Sequence, residues 1–203
     1  MITDLFLASQ SPRRSELLTQ IGLPFTVLAV DVDETALPHE KADDYVIRLA
    51  KEKALAGRDN IKHKEVAVIG SDTTVVINGQ ILSKPDNRSE AKSMLTLLSG
   101  KTHQVMTAVA LAMSSENALQ TELTSVLSVS EVTFKKLSDI EIDHYVDSGE
   151  CDDKAGSYAI QGKAAAFITH LSGSYSGVMG LPLYETVELL KNAGISIDSL
   201  VVS

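Results

Sequence analysis

The dipeptide Asn78-Gly79 constrains the fold more than any other feature of this 203-residue chain. It sits between two apolar runs within Val66 to Leu82. A two-residue type I′ turn needs positive φ at both central positions, which Asn and Gly accept at least cost. The hairpin it makes is antiparallel, so a purely parallel doubly wound sheet is disfavoured. Counting outward from the turn places Ile77 opposite Gln80 and, if no bulge intervenes, Thr73 opposite Lys84, which brings Asp72 and Lys84 near each other.

The rest of the chain reads as helices and hairpin-linked strands in alternation. Residues 2 to 8 form an apolar strand, and Ser11 with Pro12 starts a helix carrying Leu17, Leu18 and Ile21 that closes at Gly22. A strand at Phe25 to Val30 runs into the acidic stretch Asp31 to Glu34, after which Ala42, Val46, Leu49, Ala50 and Lys53 recur at helical spacing. Asn87 to Glu90 and Ser138 to Glu141 resemble capping sequences, the first for a helix ending at Gly100. Val105, Thr107, Val109, Leu111 and Met113 alternate with smaller or polar residues. They pair with a strand around Val126 to Phe134 across a loop at Ser114 to Asn117. A strand at Ala164 to Leu171 and a helix at Pro182 to Ala193 close the chain. With no repeat or low-complexity linker, residues 1–203 are expected to form a single domain of mixed α/β (α+β) class on a mixed sheet.

Composition narrows the function. A formal net charge of -9 argues against a broad grip on a nucleic acid polymer, which needs Lys and Arg clustered over a face. The one cysteine, Cys151, makes neither an internal disulfide nor a zinc site. With no apolar run long enough to cross a bilayer and no basic leader, a cytoplasmic location without membrane association is expected. The Walker loop, the dinucleotide-binding glycine fingerprint and the zinc-protease helix motif do not occur.

Four constellations carry possible chemistry. The strand-to-helix turn Ser9 to Arg14 offers two hydroxyls, two guanidinium groups and helix N-terminal N–H groups to an anion; an ordinary helix start with solvated arginines fits the same residues. Asp72 emerges where a buried strand turns polar, suited to holding a metal or activating water, or else to a plain cross-strand ion pair with Lys84. Lys53 on an apolar helical face either reaches a phosphate or, the better reading when it is taken alone, snorkels to water. The loop Asp153 to Gly162 is small and polar, and Gln161 within it can face the edge of a base. A rival is Asp31-Val32-Asp33-Glu34-Thr35, which after an apolar strand resembles the opening of haloacid-dehalogenase-type phosphatases, with Asp31 as nucleophile.

The blocks Leu7 to Arg14, Val32 to Glu34, Arg48 to Ala54, Gly70 to Thr73, Ser83 to Pro85, Leu98 to Gly100, Lys154 to Tyr158, Ile160 to Gly162 and Gly180 to Leu183 together resemble the Maf family. These are the septum-formation-inhibitor-like nucleotide pyrophosphatases, and the resemblance covers essentially the whole length. Gln10 is larger than the residue of the family pattern beside Ser9.

The resemblance implies a fold shared with inosine triphosphate pyrophosphatases: an elongated twisted mixed sheet flanked by helices, in two lobes with a central cleft. It implies Asp72 as proton acceptor and Ser9, Arg14, Glu34, Lys53 and Lys84 around the phosphates. The metal ligands would be Glu34 and Asp72, and the cation Mg²⁺, with Mn²⁺ or Co²⁺ as alternatives. Arg13, Thr73 and Gln161 resemble the branch that splits dTTP and UTP to monophosphate and pyrophosphate. The family's historical name keeps open a nucleotide-binding regulator of cell division. A homodimer is the default assembly.

Overall fold

The computed structural model describes residues 4–62, 65–114 and 121–195. The chain runs β1 (Asp4–Ala8), α1 (Pro12–Gln20), β2 (Thr26–Leu28), α2 (Ala42–Asp59), β3 (Val66–Ile77), β4 (Gln80–Leu82), α3 (Arg88–Leu98), β5 (Thr102–Ser114), β6 (Glu122–Phe134), α4 (Asp139–Asp147), β7 (Ile168–Ser172), α5 (Tyr175–Met179) and α6 (Leu183–Asn192). One mixed sheet in the order β2-β1-β3-β5-β6-β7 holds the strands together, with β4 also on β3. Both β2 and β3 lie parallel to β1, and the remaining pairs are antiparallel.

The turn forms as its residues require, with φ of 51° at Asn78 and 77° at Gly79. The register is the one counted from it: Ile77 faces Gln80 and Val75 faces Leu82. The ladder ends there, however, so Thr73 and Lys84 are not paired. Because β5 occupies the other side of β3, β1 and β4 share one side, and neither covers all of it. β1 stops opposite Gly70, and β4 covers β3 only from Val75 onward, its last residue Leu82 lying opposite Val75. Ser71 to Thr74 therefore present an open strand edge between two covered stretches.

That gap divides the molecule into two lobes on the long strands β3, β5 and β6. In one, Leu7, Leu17, Leu18, Ile69, Val109, Leu111 and Leu190 pack beneath α1 and α6. On the opposite face of the sheet, α2 lies on a layer of Ala108, Ala110 and Ala112. In the other lobe, Val75, Leu95, Val105, Phe134, Tyr145 and Tyr158 join α3 and α4. The alternation in β5 thus reports large residues toward α1 and α6 and alanines toward α2, both buried.

Small residues bring α2 very close to the sheet. A Cβ on Gly70 would lie 2.2 Å from the Ala50 carbonyl oxygen and 2.5 Å from the Ala54 nitrogen. Local signals behave as read at α3, where Asn87 accepts from the Glu90 N–H, and at α4, where Ser138 and Glu141 form a full capping box. At α1, Pro12 occupies the first turn but Ser11 makes no side-chain cap. The expected strand from Ala164 is a 3₁₀ turn over Lys163–Phe167, with β7 starting only at Ile168. Three successive alanines have little strand preference, and the Glu150 carboxylate takes the N–H groups of Lys163 and Ala164 at 3.0 and 3.5 Å. Most of the loop after Ser114 falls outside the described residues.

Two stability predictions follow from this packing. Gly70→Ala forces α2 off β3 and is expected to lower unfolding free energy by roughly 1–3 kcal/mol, read by urea denaturation. His103 is 2% exposed, its Nε2 is 2.8 Å from Tyr158 Oη, and burial lowers its pKa from 6.5 to about 4. A histidine buried neutral contributes fully above pH 6.5, and that contribution is lost as pH falls toward 4. The loss should approach about 3 kcal/mol, and His103→Leu should remove this segment of the stability–pH curve.

Candidate active site

The open edge of β3 is the floor of a cleft of about 660 Å³. Its walls include all nine residues singled out from the sequence: Ser9, Arg13, Arg14, Glu34, Lys53, Asp72, Thr73, Lys84 and Gln161. Strand alternation sends Asp72 to the α2 face and Thr73 to the α1 face, so the edge separates two kinds of surface.

On the α2 face, Lys53 Nζ lies 2.6 Å from Asp72 Oδ1 and 2.7 Å from Glu34 Oε1. Lys53 is 8% exposed and Asp72 7%, so the lysine is a buried ion-pair partner and does not snorkel. Lys84 pairs with Glu34 Oε2 at 3.2 Å, so the cation bound to Asp72 comes from α2 and not from across the hairpin. Burial pushes the Asp72 pKa above its ordinary value, and the charges of Lys53 and Arg14 offset this only in part. For Glu34, partial burial works against ionisation, but contacts with Lys53 and Lys84 outweigh it and hold its pKa down.

On the α1 face, Arg14 is fixed by three contacts. Nε donates to the Gly180 carbonyl at 2.8 Å, Nη1 to Ser9 Oγ at 3.2 Å and Nη2 to Thr73 Oγ1 at 3.4 Å. Burial lowers the Arg14 pKa, with Asp72 opposing. Ser9 Oγ also accepts from the Ser11 N–H at 3.2 Å, bonding the turn that Ser11 itself leaves uncapped. Arg13 reaches across the cleft to Asp153, 3.9 Å away. Gln161, exposed, sits in a turn on the far wall.

Several contributors were not singled out from the sequence. Ser71 Oγ lies 2.9 Å from the Gly180 carbonyl, and Thr107 Oγ1 is 2.7 Å from the Gly177 carbonyl and 3.0 Å from Thr73 Oγ1, bolting the α5–α6 turn to the sheet. Tyr45 Oη donates to the Glu34 carbonyl at 2.9 Å. Its spacing from Leu49 and Lys53 puts it on their helical face, a signal available in the sequence. Asp31, exposed on the loop after β2, also lines the cleft, whereas the buried, lysine-paired carboxylate on the open strand edge is Asp72.

The donors suit a hard divalent cation: two carboxylates on one ammonium, with no thiolate or imidazole beside them. No group of three or more His, Cys, Asp or Glu converges among the described residues. Further ligands would therefore be water and substrate oxygens, the usual mode for Mg²⁺.

A family model described as Maf-like protein matches residues 4–193. A dTTP/UTP pyrophosphatase from Nitrosospira multiformis is 48% identical over 204 residues, covering 95% of this chain and 96% of the relative. One from Colwellia psychrerythraea is 53% identical over 193 residues, covering 94% and 88%. A solved HAM1 protein from Coxiella burnetii aligns at a TM-score of 0.48 and 18% identity, covering 93% of this chain and 98% of that one.

Because the Lys53 charge favours the Asp72 carboxylate, Lys53→Met should move the Asp72 titration further upward, measured by carboxyl NMR. An unchanged or lowered midpoint would show that Lys53 does not act on Asp72 as the geometry requires.

Proposed function

The chain belongs to the Maf-like protein family, and on that premise we propose that it hydrolyses dTTP and UTP to the nucleoside monophosphate and pyrophosphate. The reading takes residues 1–203 as one catalytic domain. The observation that carries it is the Asp72–Lys53–Glu34 cluster at an open strand edge, facing a guanidinium and hydroxyl surface across one cleft.

Asp72 takes the proton of the attacking water. Burial raises its pKa, which makes it a better base than an exposed aspartate, while the Lys53 charge favours its carboxylate form. Ser9, Arg14, Lys53 and Lys84 bind the phosphate oxygens, where positioning and charge stabilisation do most of the catalytic work. Glu34 and Asp72 hold a divalent cation, Mg²⁺ fitting the donor set best. When bound, it neutralises charge on the phosphates and leaving pyrophosphate.

Base selection falls to Arg13, Thr73 and Gln161. The Gln161 amide offers both a donor and an acceptor to a pyrimidine edge, and a mismatched base leaves polar groups unpaired. A homodimeric cytoplasmic enzyme completes the reading. No helix among the described residues is long and apolar enough to cross a membrane.

The test is a product assay with Mg²⁺ on dTTP, UTP, CTP, ATP, GTP and 7-methyl-GTP. Pyrophosphate should come chiefly from dTTP and UTP, and chelation should stop it. Asp72→Asn should still bind nucleotide while kcat falls about 10²–10⁴-fold. Nucleotide binding without pyrophosphate release would favour a regulator, and orthophosphate would favour the phosphatase reading.

A further inference from the structure

Glu34 is the one carboxylate of the cluster that no helix or strand supports. It lies in a segment of neither kind between Leu28 and Ala42, and its side chain is 41% exposed. A group so placed would sample many positions unless the backbone on both sides were tied down. Two residues one turn apart on α2 do this. Tyr45 Oη binds the carbonyl of Glu34 itself at 2.9 Å, and Arg48 Nη2 binds the next carbonyl, Thr35, at 3.1 Å.

Arg48 also grips the far end of the same segment. Its Nε and Nη2 form a fork on the Glu40 carboxylate at 2.6 and 2.8 Å, and Glu40 Oε2 in turn accepts from the Leu37 N–H at 2.9 Å. Glu52, one turn further along α2, takes Nη1 at 3.2 Å, and the guanidinium lies 5.6 Å from the centre of the Tyr45 ring. The guanidinium is thus locked by two carboxylates and an aromatic ring while it spans residues 35 and 40.

From this we infer that Arg48, assisted by Tyr45, is a positioning residue that presents the Glu34 carboxylate to the cleft, so that its loss weakens cation binding before it weakens the fold. The inference rests on the reading of Glu34 as a cation ligand. Lysine is no substitute, since one ammonium cannot present a planar fork and a third donor together.

The experiment compares wild type with Arg48→Gln, Tyr45→Phe, Glu34→Gln and the double variant Arg48→Gln/Glu34→Gln. The readouts are Mn²⁺ affinity by calorimetry with a non-hydrolysable α,β-methylene dTTP bound, Mg²⁺ dependence of turnover, and amide hydrogen exchange. Arg48→Gln should weaken Mn²⁺ about tenfold, in the range for residues that orient metal ligands. The Mg²⁺ needed for half-maximal rate should rise in step, and kcat at saturating Mg²⁺ should largely recover. Tyr45→Phe should do the same to a smaller degree. Exchange should quicken at Thr35 and Leu37 and stay unchanged in β3.

Combined with Glu34→Gln, Arg48→Gln should add little, because both act through one carboxylate. Wild-type Mn²⁺ affinity in Glu34→Gln would remove Glu34 from the cation site and sink the underlying reading. Weakened affinity there, with wild-type affinity in Arg48→Gln and Tyr45→Phe, or additive losses in the double variant, would overturn the inference alone.

Discussion

The site depends on one buried ammonium. Lys53 enters a pocket where it is 8% exposed and meets two carboxylates within 2.7 Å. Taking these charges out of water is costly, and such a group is seldom a net source of stability. It persists because the backbone permits it. Gly70 and the alanines of β5 leave α2 almost in contact with the sheet, so a lysine stem pointing along that face ends at Asp72. Larger residues in this layer would lengthen the gap beyond the reach of the side chain and leave Asp72 buried without its cation.

The open edge of β3 explains why residues from both faces of a sheet serve one cleft. Asp72 and Thr73 point in opposite directions, as neighbours in a strand must. Within a covered strand they would belong to separate environments. Because β1 ends and β4 has not begun, a ligand on the edge touches both, with carboxylates and lysines on one side and Arg14, Ser9 and Thr73 on the other. The same gap explains why the hairpin register held but its extension did not. Continuing the ladder to Thr73 and Lys84 would have closed the cleft.

Period and turn chemistry were therefore legible where they act locally. Asn78-Gly79, the cap at Asn87, the box at Ser138 and the alternation in β5 each state their structure in a few residues. The family blocks brought the nine lining residues together. What the sequence could not show was depth. Lys53 alone looks like a snorkelling residue because helical spacing reports direction and not how closely a helix approaches its sheet. Tyr45 and Arg48 were missed as partners of Glu34 because the contacts that flank it are to the carbonyls of Glu34 and Thr35, which leave no signature in side-chain identity.

The charges in the cleft also suggest how a polyanion would be received by a protein of net charge -9. Lys53 and Lys84 are already engaged by Asp72 and Glu34, and Arg13 faces Asp153. Arg14 differs in that its hydrogen-bond partners, Ser9, Thr73 and the Gly180 carbonyl, are neutral. A bare triphosphate would thus have to pull Lys53 away from the buried Asp72 carboxylate and leave it uncompensated, which is strongly unfavourable. A triphosphate arriving with a divalent cation meets a different balance. Glu34 and Asp72 would hold the cation, Lys53 and Lys84 would be released to the phosphates, and no buried charge would lose its partner. On the proposed reading, binding is an exchange of ionic partners, and the cation is what makes that exchange even.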